Sequence, residues 1–150
     1  MSYFCQKGDL SNCTKGAKRS GAEPLSLVIA GSRDLCGGLP PDRFCGDDGV
    51  MARAWRLLPN PEAVVKIIGG EATGADAVGK AWANKRGIPY VGKPANWKLH
   101  GRGAGLIRNG EMASEGDALL ALWDGKSPGT RNMIKRMKDL GKPTWIYLYK

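Results

Sequence analysis

Four short stretches of the chain hold residue types that bind anions: Gly31-Ser32-Arg33-Asp34, Gly69 through Asp76, Pro94 through Gly105, and Asp124 through Thr130. Glycine-rich turns expose backbone N–H groups. Where such a turn runs into a helix, the unpaired amides and the positive end of the helix dipole make an anion site without a cofactor motif. The expected ligand contacts are Gly31, Ser32 and Arg33 in the first stretch, and Gly70, Thr73, Gly74 and Asp76 in the second. Lys126, Ser127, Gly129 and Thr130 follow in the last, with Arg108 and Asn109 closing a third side. Arginine presents a planar fork of donors suited to phosphate, and a buried one requires a partner. Bland readings stand beside these. Gly31 to Asp34 also reads as an ordinary capped turn. Asp76 suits the first turn of a helix on dipole grounds alone, Thr130 reads equally as a cap, and Trp82 and Trp97 read as packing groups.

If the protein is an enzyme, Glu71 and Asp76 are the carboxylates placed to stabilise a positively charged ribose or to activate water. Other chemistries are excluded. His100 is the only histidine, so no histidine-based triad assembles. The cysteines at 5, 13, 36 and 45 include no C-x-x-C pair, which argues against zinc and for free thiols in a reducing compartment. There is neither a G-x-x-x-x-G-K-[ST] loop nor a G-x-G-x-x-G turn after the first apolar run. An ordinary nucleotide triphosphatase and a nicotinamide-dependent dehydrogenase are therefore not expected, and neither is a metal or cofactor.

The elements that must position these loops alternate along the chain. Leu25–Ala30, Val64–Ile68, Pro89–Val91, Ala118–Trp123 and Thr144–Tyr149 are apolar runs of buried-strand type. Val50–Leu58, Ala75–Arg86, Ala104–Met112 and Thr130–Leu140 have helical spacing, with Gly87 and Gly141 as stops. Five strands alternating with four helices predict an α/β, Rossmann-like, doubly wound parallel five-stranded sheet with helices on both faces. Right-handed crossovers favour a doubly wound sheet; if its order is 3-2-1-4-5, the ligand crevice lies at the carboxyl ends of the first and fourth strands. Each anion-binding stretch falls after a strand.

The 150 residues suit one domain, assigned to 24–150, behind a polar, aperiodic and flexible extension at 1–23. No apolar stretch nears the roughly 18 residues of a membrane helix, and Met1 to Leu10 holds no signal-type segment, so a cytoplasmic protein without membrane partners is expected. The net charge of +9 favours polyanions. The basic residues are scattered, however: Lys15, Lys18 and Arg19 lie near the start and Lys135, Arg136 and Lys138 near the end. The expected partner is a nucleotide-like small molecule, with only weak, non-specific nucleic-acid binding. A homo-oligomer is left open.

Taken in order, Gly31-Ser32-Arg33, Gly70 to Asp76, Pro94-Ala95-Asn96-Trp97, Gly105 through Arg108-Asn109 to Met112, and Asp124-Gly125-Lys126-Ser127 with Gly129-Thr130 resemble the SLOG superfamily, the Smf/DprA and LOG group. Within it they are most similar to the small single-domain YspA-related, cpYpsA-like proteins of bacteria and phages. The resemblance spans about Leu25 to Pro143 and leaves out the first 23 residues and Cys36 to Asp48. It implies a Rossmann-like pocket for nucleotides or nucleotide-derived ligands, serving a sensor or sequestering protein. It also admits an enzyme that cleaves the base–ribose bond of a nucleoside monophosphate, as LOG phosphoribohydrolases do, or DNA binding of the DprA kind. Two departures bear on the enzyme. The LOG loop P-G-G-x-G-T-x-x-E has Met133 at its acidic position here, and Glu71 stands where the related loop carries a glycine.

Overall fold

The computed structural model describes residues 23–150, so the assignment of an N-terminal extension falls almost wholly outside the described residues. Five strands form one parallel sheet: β1 (Leu25–Gly31), β2 (Val64–Gly69), β3 (Tyr90–Gly92), β4 (Ala118–Trp123) and β5 (Thr144–Leu148). Their order is β3-β2-β1-β4-β5, the order under which the crevice falls at the ends of β1 and β4. β1 lies at the centre with β4 beside it, and both are apolar on both faces: Leu27, Val28 and Ile29, and Ala118 through Leu122, are fully buried. Val28 pairs with Ile68 on one side and Leu119 on the other.

Helices cover both faces. Leu27, Ile29, Ile67, Leu120 and Leu122 pack against α1 (Val50–Trp55) and α2 (Ala75–Arg86) through Met51, Val78 and Trp82. Val28, Ala30, Ile68, Leu119 and Ala121 pack against α4 (Ala104–Glu115) and α5 (Pro128–Asp139) through Met112, Met133 and Met137. The chain thus leaves β1 toward one face and β4 toward the other, and the carboxyl ends of these neighbours open a crevice.

Helix ends differ from the sequence expectation for local reasons. α1 stops at Trp55, because Leu57 and Leu58 donate to Ala54 and Trp55 in tighter turns ahead of Pro59. α5 begins two residues early, at Pro128, whose fixed φ suits the first helical position. A four-residue helix, α3 (Trp97–His100), was not expected from the sequence; the Asn96 side chain accepts the Leu99 amide at 3.0 Å and caps it. No helix among the described residues is long and apolar enough to cross a membrane.

Candidate functional site

The turn after β1 is held by the two strands and helix around it. A Cβ at Gly31 would overlap the Leu122 carbonyl oxygen, so only glycine lets β1 and β4 run this close at their ends. Ser32 is buried and fully engaged. Its amide donates to Leu122 O at 3.0 Å, its carbonyl accepts the Ala75 amide at 3.1 Å, and its Oγ accepts the Asp124 amide at 3.0 Å. Gly74 starts α2 at φ 71°, where any Cβ would strike the Ser32 and Arg33 carbonyls, and Thr73 Oγ1 donates to Arg33 O at 3.4 Å. Asp34 accepts the Tyr149 hydroxyl at 2.6 Å and Lys150 Nζ at 3.1 Å, and these two bonds hold its carboxyl below the usual range. With both neighbours tied down, Arg33 is left exposed at the cleft.

That cleft, about 580 Å³, opens beyond β1 and β4 and is walled by Arg33, Asp76, Arg102, Arg108, Asn109, Asp124 and the segment Ser127 to Thr130. α5 aims its amino end into it. Pro128 has no N–H and no side chain caps the helix, so the amides of Gly129 and Thr130 are the open donors. Asn109 Nδ2 fixes this end by donating to Gly129 O at 3.1 Å and Asn132 Oδ1 at 3.2 Å. Asp124 Oδ1 accepts the Lys126 and Ser127 amides, both at 2.8 Å, a closed turn that keeps the carboxyl below its normal range, the Ser127 bond first.

A second cleft of about 450 Å³ adjoins the first, between Gly70–Thr73 and Pro94-Ala95-Trp97, and shares Arg33, Ala72, Trp97 and Arg108 with it. Arg108 is the wall common to both. It is 8% exposed, donates through Nη1 to Gly70 O, and leaves a buried Nε without a partner. The ion pairs among the described residues engage other side chains. Gly70 makes room for this arrangement: a Cβ there would lie 2.5 Å from Arg108 Nη1 and 2.8 Å from Asp76 Oδ2. Asp76 is 7% exposed, and burial pushes its carboxyl up to about 6 against the pull of Arg108 and of the Ala72 amide, which it accepts at 3.2 Å.

The sequence candidates thus divide. Arg33, Asp76, Arg108, Asn109, Ser127, Gly129 and Thr130 meet at the larger cleft, while Gly70 and Thr73 line the smaller. Ser32 and Gly74 support the loops from within. Lys126 is exposed and lies outside both walls. Glu71 adopts φ 61°, the conformation for which glycine is suited, and its carboxylate turns away to Lys80 Nζ at 3.4 Å and to the edge strand at Gly92. Trp97 reads from the sequence as a packing group, and the structure places it otherwise. It is 51% exposed, lines both clefts and has the Arg33 guanidinium 5.9 Å from its ring centre. Its place in a glycine-bearing loop after a strand was the available signal. Arg102, exposed at the rim, lies in the same stretch, between Gly101 and Gly103.

Comparison with known proteins fits this geometry. Residues 50–100 match the model of the YspA, cpYpsA-related SLOG family. The chain is also similar to the Gene 61 protein of Mycobacterium phage D29, 36% identical over an alignment of 98 residues, with 61% of this chain and 78% of the relative covered. No solved structure matches. The chain belongs to the YspA, cpYpsA-related SLOG family.

Proposed function

We propose that the protein captures a nucleotide or nucleotide-derived ligand by its phosphate in the paired clefts, as a sensor or sequestering protein. The observation that carries this reading is Arg108. A guanidinium so deeply buried, with an unpaired Nε and no ion pair among the described residues, favours an anion in the clefts it walls. The open amides of Gly129 and Thr130 supply the matching phosphate seat, with Arg33 beside them. Asp76 is then placed for ribose hydroxyls. The base falls in the smaller cleft against Trp97 and Pro94, a flat apolar wall. The test is native mass spectrometry of the protein purified from cells, followed by chromatography of what it releases. An intact nucleotide is expected; protein that carries none, and takes up none when nucleotides are added, contradicts the reading.

A second reading, cleavage of a nucleoside monophosphate at its N-glycosidic bond, is favoured by one observation: the Asp76 carboxyl, pushed up to about 6, stands in the larger cleft. Against it, Met133 occupies the acidic position of the LOG loop and is fully buried, and the Glu71 carboxylate faces Lys80. Free base released over many turnovers, and lost in Asp76→Asn, would establish the enzyme.

A further inference from the structure

Arg108 and Asn109 are consecutive on α4 but reach to opposite sides of the crevice. Arg108 bonds Gly70 O, just past the end of β2, while Asn109 bonds Gly129 O in the loop after β4. β2 and β4 flank β1, so their ends stand two strand spacings apart, roughly 10 Å. Two anion-seeking features therefore sit at separate places. One is the uncapped start of α5. The other is the buried Arg108 guanidinium with its unpaired Nε, on the wall between the two clefts. A phosphate seated on the start of α5 leaves Arg108, anchored at Gly70, to a second group.

Of the four carboxylates nearby, three are committed elsewhere. Asp124 is committed to the Lys126 and Ser127 amides, and Asp34 to Tyr149 and Lys150. Glu71 pairs with Lys80, and Asp76, whose carboxyl Arg108 pulls on, also accepts the Ala72 amide.

We infer that the ligand carries two phosphate groups on opposite sides of its ribose, as a nucleoside 3′,5′-bisphosphate does. One phosphate takes the Gly129–Thr130 amides and the other meets Arg108, with the ribose beside Asp76. This rests on the reading that the clefts bind a phosphate-bearing nucleotide, and it adds the number and placement of the phosphates.

The test is equilibrium titration of the full chain with the 5′-monophosphate, 5′-diphosphate and 3′,5′-bisphosphate of adenosine, guanosine, cytidine and uridine. For the preferred base, the bisphosphate should bind tighter than either other form by about tenfold or more, the scale of one charge-assisted contact. Arg108→Lys, which keeps the charge and loses the fork, should shrink that ratio. Because the ratio is read on the unaltered protein, a poorly folding variant does not decide the outcome. Equal affinity for mono- and bisphosphate overturns the two-phosphate inference and leaves nucleotide binding standing. A diphosphate as tight as the bisphosphate overturns the placement across the ribose. No binding of any of the twelve overturns both.

Discussion

Ser32 Oγ accepts the Asp124 amide at 3.0 Å, joining the loop after β1 to the loop after β4 across the mouth of the crevice. The two residues are far apart in sequence, and this bond fixes the spacing of the two turns that face the larger cleft. Ser32→Ala should cost about 1 kcal/mol of stability, as for a lost intramolecular hydrogen bond. Urea unfolding measures it. An unchanged midpoint would mean that the clamp contributes nothing to the fold.

Two glycines that look alike in the sequence should respond oppositely to alanine. A Cβ at Gly31 would overlap the Leu122 carbonyl, whereas one at Gly129 meets nothing within 4 Å. Gly31→Ala should destabilise by about 1–3 kcal/mol or more, the range of overpacking. Gly129→Ala should change stability by less than about 1 kcal/mol, the scale of helix propensity, while weakening nucleotide binding. Thermal melting and a binding titration on each variant separate the two roles; a Gly129→Ala protein that binds unchanged removes this glycine from the phosphate seat.

The alternation of apolar runs and glycine turns was enough to read a parallel five-stranded sheet with helices on both faces; which strands lie side by side at the crevice comes from the structure. The division of labour within the loops was not legible, because it depends on contacts between residues distant in sequence. Nothing near Ser32 shows that its hydroxyl is taken by Asp124, and nothing near Glu71 shows that Lys80 and the edge strand draw its carboxylate aside. Trp97 was misjudged because area alone suggests burial for tryptophan. The capped turn at Asn96 instead leaves it half exposed at the cleft.

Asp76 gives the fold a pH dependence of defined sign. Its carboxyl is raised from 3.8 to about 6, so the folded state holds the proton more tightly than the unfolded chain. This group's contribution is fully present below pH 3.8 and is lost as pH rises through about 6. The loss approaches 3 kcal/mol, on the order of 1.4 kcal/mol per unit. Asp34 and Asp124, held low, act in the opposite sense, with stability that is lost as pH falls. The difference in unfolding free energy between the unaltered protein and Asp76→Asn isolates the Asp76 contribution. It should shift toward the variant between pH 4 and 7; a difference flat across that range contradicts the assignment.

Nucleic-acid binding should be weak and shallow in its salt dependence. Lys135, on α5, is already paired with Asp139 at 2.8 Å, and Lys7, Lys15, Lys18 and Arg19 lie near the start of the chain. A log K slope corresponding to about two or three phosphates, at roughly −0.9 each, is expected with single-stranded DNA. Deleting residues 1–21 should reduce it. Submicromolar binding that survives both physiological salt and the deletion would place a nucleic-acid groove on the folded domain.

The most direct test of the cleft as a nucleotide site is calorimetric titration of the full chain with the four common nucleoside 5′-monophosphates, repeated on Arg33→Ala. Arg33 is exposed and lines both clefts, so its removal should leave the melting temperature of the free protein unchanged. Saturable one-to-one binding of at least one nucleotide is predicted. In the variant it should weaken by about 1.5–3 kcal/mol, the value of a hydrogen bond to a charged group. No heat from any of the four, or binding equally tight in Arg33→Ala, would contradict the account.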